Sequence, residues 1–154
     1  YDFNSLKKII SIVTLSKISI KYALAKFHLI DLALKGAKDP ISTFVKKYER
    51  NSYFKTIVKD IKLIRNLKKR PHPLTVKKLG MACNYPGTFN SAIHAIINSS
   101  TYKDAVLKSI KAGGCNCSRV NFVGAYFAAL HGADSIPKSW ISKTEAAKQI
   151  INQR

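Results

Sequence analysis

Apolar residues recur at three- and four-residue spacing along nearly the whole chain, and no stretch alternates convincingly with the period of two that marks a strand. Leu6, Ile9, Ile10 and Val13 share one face of a first helix. Ile18, Tyr22, Ala25, Leu29, Leu32 and Ala33 form a second stripe, which ends at Gly36, a natural left-handed cap. Asp39-Pro40 reads as an N-cap and first-turn proline, opening a short helix through Phe44, Val45 and Tyr48. Ile57, Ile61, Ile64 and Leu67 carry the next stripe, with Lys59, Lys62 and Lys68 turned outward. Pro71-His72-Pro73 is expected to stop that helix and hold an extended link. One or two turns at most then fit between Leu74 and Leu79, closed by Gly80.

The texture changes from Met81 onward: lysines thin out and small residues rise. Pro86-Gly87 predicts a turn, and Phe89 to Ile97 a buried helix. Thr101 with Asp104 resembles a capping box and starts a helix through Ala105, Val106, Ser109 and Ile110. Gly113-Gly114 breaks it. Ser118 to Leu130 is small and apolar on nearly every side, which predicts a central helix ending at Gly132. Ile136-Pro137 starts a turn toward Trp140, and Ser142 with Glu145 is expected to open a last amphipathic helix. The fold class is all-α.

Composition bounds the function. The 154 residues suit one domain or part of a larger one, and a hydrophobic content of 46% excludes wholesale disorder. The formal charge of +19 is compatible with a phosphate-rich partner. Lysine supplies 22 of the 27 cations, however, spread along the chain without an aromatic-interleaved stripe. Many Ile and Asn residues accompany them, so biased codon usage explains the excess better than a nucleic-acid surface does. No apolar run is long enough for a membrane span. Three cysteines, Cys83, Cys115 and Cys117, do not suggest a disulfide framework, and point instead to a reducing, cytoplasmic setting.

The densest site-like stretch is Gly113-Gly114-Cys115-Asn116-Cys117-Ser118-Arg119. Two glycines allow positive φ and close backbone approach. A helix begins just after them, so free N–H groups and the positive dipole end face the loop and favour an anionic ligand. Cys117, and then Cys115, should be alkylated faster than Cys83, because a helix N-terminus beside Arg119 favours thiolate. The simpler alternative is that Cys117 or Ser118 caps the helix and Cys115 is buried.

That run, with Phe122, Gly124, His131-Gly132, Ile136-Pro137 and Trp140, resembles the ADP-ribosylglycohydrolase superfamily. The branch it is most similar to holds jellyfish J-type crystallins and fish selenoprotein J. Pro71-His72-Pro73, Tyr85 to Phe89 and Ser91 to Ile96 extend the resemblance, which is strong from Lys69 to Trp140. It is fair from Ile18 to Lys38, and Ile41 to Asn66 agrees only as helices. The resemblance implies an all-α orthogonal helical fold about twice as long as this chain, of which residues 1–154 would be the C-terminal portion. It implies a helical cleft for ADP-ribose or a related nucleotide, an ADP-ribosylated substrate, and two magnesium ions in the active members.

The family's late metal motif falls on Gly113 to Ser118, with Cys115 and Cys117 at its two aspartate positions and Ser118 at its threonine position. Only Ser118 and the Asn116 side chain keep oxygen in the loop, with Ser118 at a metal position of the family motif, and the family's early acidic motif is not in this sequence. Magnesium requires oxygen ligands, whereas thiolates suit softer metals. Tight magnesium binding is therefore not expected, and no catalytic residue is assigned. Two readings stay open: a protein that binds an ADP-ribose-like ligand and hydrolyses a glycosidic bond when complete, or a non-catalytic, crystallin-like structural or binding protein. A chain lacking half its domain is further expected to leave apolar surface of Ser118 to Leu130 uncovered. His94 and His28 read as core residues, His131 as a helix-end residue, His72 as a loop residue and Trp140 as an anchor.

Overall fold

The computed structural model describes residues 2–151, and every regular element among them is helical. In chain order the helices are α1 Phe3–Val13, α2 Lys17–Leu34, α3 Pro40–Tyr48, α4 Lys55–Asn66 and α5 His72–Leu79. α6 Gly87–Ile97, α7 Tyr102–Lys111 and α8 Asn116–His131 follow. A 3-10 turn at Ala133–Ser135 and two short helices, α9 Lys138–Ser142 and α10 Ala147–Ile151, complete them.

Local chemistry sets most boundaries where the sequence predicts them. Asp2 caps α1 by accepting from the Asn4 and Ser5 amides. Asp39 caps α3 through the Ser42 amide, with Pro40 in the first turn. Thr101 caps α7 by accepting from the Asp104 amide. Two boundaries differ. Pro71 is the N-cap residue of α5, with His72 and Pro73 in its first turn, so these prolines start a helix instead of holding a link. Ser142 ends α9, and α10 begins only at Ala147, so the last helix is shorter than the Ser142–Glu145 signal suggests.

The interior has two parts. α2, α3 and α4 enclose an aliphatic and aromatic cluster, with Leu24, Leu29, Phe44, Ile57, Ile61 and Ile64 fully buried. Phe54 joins it against Phe44, Tyr48 and His28 at ring-centroid distances of 5.6, 4.6 and 5.8 Å. α6 and α8 form the second part. α8 packs against α2, α6 and α7 and buries Phe122, Val123, Gly124, Tyr126 and Phe127. The expectation that α8 would be left uncovered is therefore corrected: only positions such as Asn121 and Ala125 reach solvent along its middle. The exposed apolar surface lies elsewhere, at Ile12, Val13 and Leu15, which are 82–87% exposed.

Candidate functional site

The loop between α7 and α8 is held by a contact that spacing alone does not disclose. Cys115 forms a disulfide with Cys83, with their Cα atoms 5.4 Å apart. The expectation of three free thiols is corrected: Cys115 is not a free nucleophile, and the exposed Cys83 is its partner in the bridge. Beside the bridge, the Cys115 amide donates to Met81 O at 2.7 Å. This approach depends on glycine. Gly114 has φ +72°, and a Cβ there would stand 2.5 Å from Met81 O. Gly113, also at positive φ, lies against the Met81 side chain.

Cys117 remains a free, exposed thiol in the first turn of α8. No side chain caps this helix; Cys115 occupies the N-cap position. The Cys115 sulfur lies 3.2 Å from Ser118 Oγ.

Arg119 does not serve the thiols as predicted. Its side chain is fully buried and turned back under the loop. Nη2 donates to Gly113 O, to Asn116 Oδ1 at 2.8 Å and to Ser109 O at 3.3 Å. One guanidinium thus ties the end of α7 to the beginning of α8. Burial lowers its proton affinity, because the charged form loses hydration. Among the described residues it has no carboxylate partner; the oxygens around Nη2 compensate it in part, and Nε and Nη1 are buried without a partner there.

Next to this loop, α5 and α6 bury a histidine pair. His72 is 5% exposed, not a loop residue, and its Nδ1 lies 2.9 Å from His94 Nδ1. His94 Nε2 lies 3.0 Å from Leu67 O, which can only accept. His94 therefore carries its proton on Nε2 and presents a bare Nδ1, to which His72 Nδ1–H donates. The arrangement uses both rings in their neutral forms. Burial, followed by the charges of His94, Arg119 and Lys108, pushes the His72 pKa down to about 4. Burial also lowers that of His94. His94 is thus the core histidine expected, and His72 is the partner that its flanking prolines concealed. His28 packs among Phe54 and Tyr48 as predicted, His131 is exposed at the end of α8, and Trp140 is half-buried beside Tyr102.

The donor set of the 113–119 loop can be compared with what a hard cation needs. Cys115 is committed to the disulfide, Cys117 offers sulfur, and the Asn116 and Gly113 oxygens already accept from Arg119. Ser118 Oγ alone is left as an uncommitted type of oxygen ligand, and it lies against the Cys115 sulfur. No group of three or more His, Cys, Asp and Glu side chains gathers among the described residues. These residues do not fit a magnesium ion. Among the same residues, no helix is long and apolar enough to cross a membrane.

Comparison with known proteins places this loop in a family. A family model described as ADP-ribosylglycohydrolase matches residues 9–153. Crystallin J1A of Tripedalia cystophora is 41% identical over 76 residues, and crystallin J1B of the same organism is 33% identical over 76 residues. Each match covers 49% of this chain and 24% of the relative, so the chain aligns with about a quarter of each crystallin. No solved structure matches.

Proposed function

The chain belongs to the ADP-ribosylglycohydrolase family, and we propose that it serves there as a non-catalytic, crystallin-like structural or binding module. The observation that carries this reading is the fate of the loop between α7 and α8. Where a metal-dependent hydrolase needs carboxylates, this chain has one sulfur bound to Cys83 and another exposed as a free thiol. The loop's own oxygens at Gly113 and Asn116 accept from the buried Arg119 and are not free to hold a cation. The likeness to crystallins J1A and J1B supports the same reading.

An ADP-ribose-like ligand is a second reading, and one feature favours it. The first turn of α8 carries no side-chain cap, and beyond the Asn116 amide, which donates to Gly114 O, its amides and the positive end of its dipole favour an anionic group. Binding there needs neither metal nor carboxylate. The experiment is an assay of ADP-ribose release from an ADP-ribosylated peptide, with magnesium present, paired with calorimetric titration of free ADP-ribose. The expected outcome is no release above the uncatalysed rate and no saturable response to magnesium. Magnesium-dependent turnover by this chain would overturn the non-catalytic reading. ADP-ribose binding without turnover would select its binding form over its structural one.

A further inference from the structure

A cleft of about 640 Å³ lies at the His131 end of α8, the opposite end from the double-glycine loop. It is bounded by the start of α3 and the C-terminal ends of α4, α6 and α8. Its floor is apolar, formed by Ile41, Ile96, Ile97, Phe127 and Leu130. Its rim carries the cations Arg65 and Lys68 on one side and the His131 ring on another. Ser99 and Ser100 add hydroxyls.

Two details give the cleft direction. Tyr126 lines it and is only 3% exposed, yet its hydroxyl has no hydrogen-bond partner among the described residues. The hydroxyl is not among the fully buried polar atoms that lack a partner, so it opens to solvent on the cleft side and can bond to a ligand there. The second detail is the rim acid. Asp39 accepts from the Ser42 amide at 2.9 Å and from the Ser42 hydroxyl, and it stands 3.8 Å from Arg65. Arg65 in turn donates to Ser42 Oγ at 2.6 Å. The carboxylate is thus engaged locally, and Lys68 makes no ion pair among the described residues.

We infer that this cleft binds a small amphiphilic anion: an aromatic or aliphatic body on the floor and against Tyr126, carrying one phosphate or carboxylate at the Arg65–Lys68 rim. The site is independent of the double-glycine loop and of any activity there. Its size suits a ligand of this class, since small-molecule sites run from roughly 300 to 1,000 Å³ and combine apolar walls with a few placed polar groups.

The test uses amide chemical-shift titration of the folded chain at physiological salt. Phenyl phosphate, benzoate, inorganic phosphate and benzyl alcohol are the probes. Phenyl phosphate or benzoate should perturb Ser100 and Leu130, with an affinity at least ~tenfold above that of inorganic phosphate or benzyl alcohol. The arm that binds better identifies which anionic group the rim prefers. Lys68→Met, at an exposed position, should weaken the preferred anion by about threefold to fivefold and leave benzyl alcohol unchanged. Tyr126→Phe should weaken the preferred probe roughly fivefold. Equal binding of inorganic phosphate would overturn the proposal, because it would reduce the effect to the field of a chain with +19 charge. Perturbations confined to residues 113–119, or no perturbation by any probe, would overturn it as well.

Discussion

Between α2 and α4 the interior is dry. Leu24, Leu29, Phe44, Ile57, Ile61 and Ile64 have no exposed surface, and rings meet edge-on or tilted around Phe54. Around the start of α8 the interior is wired instead. A disulfide, a buried guanidinium, a histidine pair and a glycine pressed against Met81 each fix one contact. The first region gains from area removed from water and tolerates small changes of shape. The second depends on single groups whose partners are irreplaceable, so its failures should be specific to one condition: reduction, acid or one substitution.

That contrast can be broken first where the effect is largest. Phe54→Ala removes a ring that is 2% exposed and in contact with Phe3, His28, Phe44, Tyr48 and Tyr53. It should cost about 3–5 kcal/mol in denaturant unfolding, with no dependence on reductant. A loss below about 1.5 kcal/mol would mean that this half is not the rigid part of the molecule.

Next comes the bridge. It closes a span of 32 residues, and constraining the unfolded chain over that length is worth about 3–4 kcal/mol. Reduction, or Cys83→Ser, should lower stability by that order, while Phe54→Ala should cost the same with or without reductant. Equal unfolding midpoints of oxidised and reduced protein would remove the staple from the account.

The histidine pair gives a smaller, pH-bounded effect. The folded pKa of His72, about 4, lies below the ordinary histidine value near 6.5. Its neutral form therefore contributes in full above the unfolded value. The contribution is lost as pH falls from there toward the folded value, because the unfolded state takes up the proton first. The loss should reach up to about 3 kcal/mol. Thermal melts from pH 7 to pH 4 should show a steeper fall for the natural chain than for His72→Phe. Parallel curves would show that the pair carries no linkage. Asp39 and Asp104 act in the same direction but at lower pH, since their pKa values lie below the usual carboxylate range.

The two regions also differ in how much of them the sequence discloses. The stripes of α2 and α4 and the caps at Asp39 and Thr101 are local features, and local chemistry reads them correctly. Pro71 and Pro73 mislead because proline serves both after a helix and in its first turn, and only the fold shows which. The Cys83–Cys115 pair has no periodic signature, since its members meet only because α6 and α7 return the chain to Met81. Arg119 lies in the expected motif, but a long side chain can reach either way from its helix, and here it turns inward to carbonyls instead of outward to sulfur. The glycines were legible as permissive residues, and what they permit, contact with Met81, was not.

The smallest effect is on stability, yet it discriminates most directly among the cysteines. Cys117 is exposed in the first turn of α8, and it is the one free cysteine. Its side chain caps nothing, so a carbamidomethyl group can project into water without displacing a partner. Iodoacetamide applied to the oxidised protein should therefore add one group, at Cys117, and should change the melting temperature by less than the equivalent of about 0.5 kcal/mol. After reduction the same reagent should reach Cys83, which is exposed, and then Cys115, which is half-buried. Peptide mass analysis assigns each label. Labelling of all three cysteines without reductant would show that the bridge is not formed in solution, and would return the loop to a set of free thiols. Failure to label Cys117 would show that the start of α8 is covered, and the uncapped turn offered above to an anionic ligand would no longer be open to one.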